Sequence, residues 1–91
     1  MTAAVRDNTA LKRFELETDG HTASMYYRLE PGVITLVHTE VPPELGGHGI
    51  GSKLARATLD AVRAQGRKLV VECDFVRNFM GKHPEYNDLL K

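Results

Sequence analysis

The chain has one cysteine, Cys73, and no tryptophan among its 91 residues. A lone thiol cannot close an internal disulfide, so no oxidative framework holds this fold and a reducing cytoplasm is the expected compartment. Net charge is lacking too, because twelve Lys and Arg balance twelve Asp and Glu. Without a positive field the chain makes a poor non-specific nucleic-acid binder, and "RKLVVECDF" clusters too little base for a nucleic-acid face. No apolar run approaches the roughly 20 residues of a membrane-spanning helix. The N-terminal "MTAAVRDNTALKRF" lacks the apolar stretch of a signal peptide. Four histidines and scattered acids show neither paired ligands nor H-E-x-x-H spacing, which argues against a metal site. Repeats, low-complexity tracts and interdomain linkers are missing as well.

What remains is ordinary for a soluble globular domain, with 42% hydrophobic and 26% charged residues. The length suits one domain over residues 1–91, with residues 1–9 expected to fray. At this size only roughly 60% of the unfolded chain's surface can be buried, so the core is small.

Turn signals order the first half. Asp19-Gly20 suits a tight hairpin, where both central residues need positive φ. Pro31-Gly32 is a second turn, proline presetting φ and glycine taking the left-handed position. They separate three strand candidates. Lys12 to Thr18 carries Phe14 and Leu16 on one face and charges on the other. Thr22 to Glu30 alternates Met25, Tyr27 and Leu29 with Ser24, Tyr26 and Arg28. Val33 to Val41 is rich in β-branched residues. Period-two alternation with short turns predicts an antiparallel meander.

Pro42-Pro43 ends the third strand, since proline cannot donate to a ladder. A helix is predicted from Gly49 to about Gln65. Its apolar stripe is Ile50, Leu54, Ala57 and Ala61, widened by Ala55, Leu59 and Val62. Arg56 and Asp60 have the spacing of an ion pair, and Gly66 is a stop. Leu69 to Val71 reads as a short buried strand closing at Glu72 and Cys73. A right-handed crossover would lay it parallel to the strand before the loop. Phe75, Val76, Phe79 and Met80 suggest a short helix, broken near Gly81 and His83-Pro84, then one more turn. The expected class is α/β in the α+β mixed-sheet sense: a meander, a βαβ unit and a C-terminal helix.

The loop "VPPELGGHGIGSKLA" joins strand to helix. There the first helical N–H groups lack partners inside the helix, and the dipole makes this end partly positive. Glycines let an anion reach the backbone without meeting a Cβ. The reading is a phosphate or pyrophosphate cradle of amides from about Gly47 to Ser52. A Walker A loop fits poorly, because Ser52-Lys53 reverses the required order. A dinucleotide fingerprint also fits poorly, because Gly47, Gly49 and Gly51 follow antiparallel strands. The bland alternative is glycines that only turn the chain and let the helix pack closely.

"GGHGIGSKL", after a strand and opening a helix, resembles motif A of the GNAT superfamily of acetyl-CoA-dependent N-acetyltransferases, [QR]-x-x-G-x-[GA], aligned on Gly46, Gly47, His48, Gly49, Ile50 and Gly51. "HTEVPPEL" before the loop, a cysteine ending the next strand, and a tail with "HPEY" and "DL" resemble its small single-domain members. The resemblance runs from about Phe14 to Leu90. It implies a minimal GNAT-like fold with acetyl-CoA or coenzyme A as cofactor, the pyrophosphate lying on amides of Gly46, Gly47, His48, Gly49, Ile50, Gly51 and Ser52. It implies a pantetheine arm in the gap between Val33–Val41 and Lys68–Cys73, beside Thr39, Glu40 and Val41. Gly46 stands where the motif has Gln or Arg, so that side chain is missing. The chain is also shorter than a full domain of this kind, lacking the N-terminal helices and last strands that wall the acceptor.

Candidate chemistry follows. Amine acetylation needs a neutral amine, a route for its proton and donors for an oxyanion. Cys73, at the carboxyl edge of the returning strand and before a helix, reads as a transient acyl carrier or acid. Asp74 opposes its thiolate, and a buried inert thiol is the alternative. His38 and Glu40 share one strand face as candidate bases, or as a cross-strand polar pair. His48 reads as a phosphate neighbour and His21 as turn surface. By the resemblance of "HPEY" to the small single-domain members, His83 and Tyr86 are expected to pack and to lie near coenzyme A. Tyr26 and Tyr27 read as sheet packing rather than an acceptor platform. The leading function is transfer of acetyl to an unidentified amine of a small molecule or protein, by a monomer or weak homodimer. A coenzyme A-binding module with little turnover, and an interaction domain whose loop binds no cofactor, are the other two readings.

Overall fold

The computed structural model describes residues 5–47 and 49–91. Five strands form one sheet in sequence order: β1 (Val5–Asn8), β2 (Arg13–Thr18), β3 (His21–Glu30), β4 (Val33–Glu40) and β5 (Lys68–Val71). Neighbours are antiparallel except β4 and β5, which are parallel. A 3₁₀ turn (Pro43–Leu45) and helix α1 (Ile50–Gln65) connect those two. Helix α2 (Asp74–Lys82) and a 3₁₀ segment (Pro84–Leu89) follow. Among the described residues no helix is long and apolar enough to cross a membrane.

The turns behave as their residues require. Asp19 and Gly20 both have positive φ, at 51° and 76°, the geometry that joins twisted antiparallel strands with two residues. Val5–Asn8 departs from the fraying expected of residues 1–9. This segment pairs with Arg13–Leu16 and ties the described N-terminal residues into the sheet; residues 1–4 lie outside the description.

Both helices cover one face of the sheet. That face presents Phe14, Leu16, Ala23, Met25, Tyr27, Ile34, Leu36 and Leu69, all buried against Leu54, Leu59, Val62, Val76 and Phe79. Leu54, Leu59 and Val62 are fully buried. The helix sits rotated from the predicted stripe: Ala57 and Ala61 are half-buried, and Thr58 is buried instead. Leu29 continues the inward alternation of β3, but the strand has run past the helices there and leaves it exposed. The opposite face carries no helix among the described residues. Long side chains cover it in part, and they bury Glu15, Ser24 and Thr35 beneath them.

One irregularity sets up the site. Tyr26 pairs with His38, and Tyr27 with Leu36, so Val37 is an extra residue on β4. Such a bulge reverses the phase of the strand beyond it. Leu36 points into the core, and beyond the bulge Thr39, paired with Met25, points to the same side. His38 and Glu40, paired with Tyr26 and Ser24, take the open face.

Candidate functional site

Pairing between β4 and β5 stops at Leu36 and Val71. The N–H groups of Glu72 and Cys73 both close on the Leu36 carbonyl, at 2.9 and 3.1 Å. From Val37 to Glu40 no strand among the described residues occupies that edge of β4. The two strands therefore part, and β4 keeps a free edge beside the gap. The returning strand is shorter than the expected Lys68–Cys73: Cys73 has left the sheet and caps α2 instead.

Gly49 caps α1 in the left-handed conformation, with φ of 69° and no side-chain cap. The first turn contains no acidic residue, so no carboxylate competes for its unpartnered N–H groups. Gly47 also has positive φ, 81°. A concavity of about 250 Å³ opens here, lined by backbone and side chains of Val41, Leu45, Gly46, Gly47, Gly49, Ile50, Gly51, Ser52 and Phe75. Its lining combines a glycine-rich stretch of backbone with the apolar side chains of Val41, Leu45 and Phe75. The predicted cradle residues thus converge, apart from His48, which lies outside the described residues. Ile50 is buried, so its side chain serves the core. Gly46 stands where the motif has Gln or Arg; a Cβ there would lie 3.2 Å from the Pro43 carbonyl oxygen, a tight contact that a small shift relieves. At Gly51 a Cβ would come within 2.6 Å of the Phe75 ring, so any side chain there must push that exposed ring outward.

At the apex of the gap the Thr39 hydroxyl lies 3.2 Å from the Cys73 sulfur. The thiol is buried. Asp74 faces solvent and accepts from the Arg77 guanidinium at 2.6 Å, so an arginine stands against the neighbouring charge.

The open face holds a larger concavity, about 570 Å³, lined among others by Arg13, Ser24, Tyr26, His38, Glu40 and Val41. Tyr26 donates to Glu40 at 3.1 Å and accepts from Arg13 at 2.9 Å. His38 stacks on the Tyr26 ring, centroids 6.2 Å apart, and its Nε2 is 3.7 Å from Glu40. Sequence reading had assigned Tyr26 to packing; it is half-buried and lines this concavity, whereas Tyr27 is in the core. Burial and the Asp7 carboxylate push the Tyr27 phenol up to about 12. His38 and Glu40 share a face as expected; Thr39 also lines this concavity, but its hydroxyl turns to Cys73 on the other side. Val41 lines both concavities and links them.

His83 and Tyr86 stand away from both concavities. His83 stacks on Phe79 at 4.3 Å, and Tyr86 is buried beside the same ring. The Tyr86 hydroxyl donates to Asp60 at 2.8 Å, and Arg56 reaches Tyr86 and His83. The expected Arg56–Asp60 pair is not formed; both residues turn to the C-terminal segment instead. Burial first, and then Asp60, push the Tyr86 phenol above its ordinary value. The residues that sequence reading passed over are Phe75, Arg13 and Glu15. Phe75 had registered only as helix apolarity, and the two charges only as a solvent face.

A match to the GCN5-related N-acetyl-transferase family covers residues 13–89. The chain belongs to that family. The solution structure of a GCN5-like protein from Staphylococcus aureus superimposes with a TM-score of 0.73 at 27% identity, covering 97% of this chain and 87% of that one. Protein NATD1 of Bos taurus is 33% identical over 60 residues, which is 66% of this chain and 53% of that protein. The Homo sapiens protein of the same name is 32% identical over 60 residues, 66% of this chain and 53% of its own length. The chain spans about half the length of the curated relatives it matches. The expected superfamily and mixed-sheet fold are both borne out, on a sheet one strand wider than the sequence indicated.

Proposed function

We propose that this member of the GCN5-related N-acetyltransferases binds acetyl-CoA along α1 and the free edge of β4, and transfers the acetyl group to an amine entering from the open face. The observation that carries this is the edge of β4 beyond Leu36: among the described residues it lies unpaired, and at Val41 it meets both a glycine-lined concavity and the open-face concavity. The residues present fit the cofactor. Amides of Gly47 to Ser52 at a helix start suit a pyrophosphate, and a free strand edge suits an arm that carries amides of its own.

The cofactor supplies a thioester carbonyl. In the transfer the amine nitrogen bonds to the acetyl carbon, the C–S bond breaks, and the sulfur leaves with a proton. An amine attacks only in its neutral form, so the chain must accept a proton. Glu40 would take it; its hydrogen bond from Tyr26 and its closeness to His38 support that reading. Cys73 offers a different route, with the acetyl group resting on its sulfur before the amine arrives; Thr39 is the polar neighbour that would hold the thiol. One feature favours a second reading, a coenzyme A-binding module with little turnover: among the described residues nothing walls the open face over His38 and Glu40, both of which are exposed.

Calorimetric titration with acetyl-CoA and with coenzyme A tests the cradle. Thiol release in the presence of an amine panel separates the enzyme from the module. Micromolar binding with amine-dependent release is the expected result. Binding without release would favour the module, and no binding at millimolar ligand would remove both.

A further inference from the structure

The chemistry above leaves a buried carboxylate without a task. Glu15 lies on the open face of the sheet, yet only 3% of it is exposed. Arg6, Asn8 and Arg13 all donate to it. Burying a carboxylate is costly unless charge-assisted bonds offset the loss of water. The bond from Arg13, ahead of those from Asn8 and Arg6, holds Glu15 below the ordinary glutamate range.

The consequence falls on Arg13. Its Nε is tied to Glu15, and its Nη1 donates to the Tyr26 hydroxyl at 2.9 Å. The guanidinium is therefore fixed at the edge of the open-face concavity, with a quarter of its side chain exposed. Its Nη2 has no partner among the described residues. The same Tyr26 hydroxyl donates to Glu40 at 3.1 Å. One concavity thus presents a held cation and a carboxylate, each one hydrogen bond from a shared hydroxyl. The bonds of 2.9 and 3.1 Å put Arg13 Nη1 and the Glu40 oxygen no more than about 6 Å apart, within reach of the carboxylate and amine of one small ligand.

We propose that the acceptor is a small amine that also carries a carboxylate, of the α- or β-amino acid type, its carboxylate on Arg13 and its amine beside Glu40. Glu15 is then a positioning residue, acting through Arg13. The proposal rests on the acetyl-transfer reading and narrows its acceptor. A diamine would set its second cation against Arg13, and a lysine side chain of a protein brings no carboxylate to it. A charge-assisted bond from a fixed guanidinium discriminates an acid from its amide.

The test offers wild-type protein the common L-amino acids, β-alanine and their amides, with acetyl-CoA, and reads thiol release. Calorimetry of the same compounds into coenzyme A-loaded protein gives binding without turnover. The expected result is at least one acid favoured about tenfold in kcat/KM over its own amide. That ratio should fall at least about fivefold in Glu15→Gln and in Arg13→Met, through KM for the acid. A merely structural loss would lower acid and amide together and keep the ratio. Should Arg13→Met fail to fold, Glu15→Gln and Arg13→Lys, which keep the side-chain volume or the charge, carry the comparison. Amides equal to their acids, acceptance confined to diamines or peptide lysines, or a ratio that survives the substitutions would overturn the proposal. Absence of acetyl-CoA binding in the first calorimetric run would instead overturn the transferase reading beneath it.

Discussion

The Thr39 hydroxyl and the Cys73 thiol meet at 3.2 Å across the point where β4 and β5 separate. Neither residue is placed there by simple alternation. The extra residue at Val37 turns Thr39 toward the helices, and the early end of β5 lets Cys73 cap α2.

If the sulfur carries the acetyl group, incubation with acetyl-CoA adds one acetyl mass to the intact protein, and Cys73→Ala abolishes it. Acetyl-CoA affinity should change less than about twofold, since the cradle lies on other residues. Thr39→Val keeps the shape and removes the hydroxyl; it should slow adduct formation several-fold. Full acetyl transfer by Cys73→Ala would make the thiol structural. Mass spectrometry and thiol release on the same samples decide this.

Gly51 and Phe75 form the second testable contact. Gly51→Ala places a methyl where the ring now lies, 2.6 Å from its Cζ. Phe75 is 39% exposed, so the ring can swing outward. Stability should drop by only about 1 kcal/mol, but the apolar wall of the cradle moves. Acetyl-CoA should bind about tenfold more weakly by calorimetry, as it should in Phe75→Ala. The double variant should be little worse than either single one, because both disturb the same wall. Fully additive losses would show that the two residues act separately.

The sequence made the meander legible because its turns carry residues with one conformational reading, Asp19-Gly20 and Pro31-Gly32. The loop itself was legible because glycines cluster between a strand and a helix; the positive φ of Gly47 and Gly49 is a detail that only the structure adds. The bulge at Val37 was not: nothing in "VITLVHTE" distinguishes it from a regular strand. Arg13 and Glu15 looked like solvent-face charges, since period-two alternation gives the face but not whether neighbouring side chains roof it over. Phe75 looked like core because spacing along a helix cannot tell a residue that faces the sheet from one that rests on another helix's first turn.

The C-terminal segment is held to α1 by polar contacts that sequence spacing misassigned. Arg63 grips Asp88 at 2.6 Å, and Tyr86 donates to Asp60 at 2.8 Å. The first pair is exposed and should contribute little. The second involves a buried ring, and Tyr86→Phe should cost about 1 kcal/mol. Asp60→Asn should cost less after Tyr86→Phe than before it, measured by denaturant midpoints. Equal costs in both backgrounds would mean that the hydroxyl and Asp60 are not coupled.

Acid titration isolates Glu15. Its bond from Arg13 lowers its folded pKa below the ordinary value of 4.5. A depressed carboxylate contributes stability that is present above its unfolded pKa and is lost as pH falls through the folded value. Glu72, held low by Arg28, and Asp88, held low by Arg63, follow the same sign but lie on the exposed surface. They act as a background common to wild type and Glu15→Gln. The variant should therefore be less stable at pH 7, and the gap between the two proteins should close as pH drops below about 4.5. Denaturant midpoints at half-unit steps from pH 7 to pH 3 measure it. Parallel curves across that range would show that Glu15 titrates at the same pH folded and unfolded, and that Arg13 is held by shape rather than by charge.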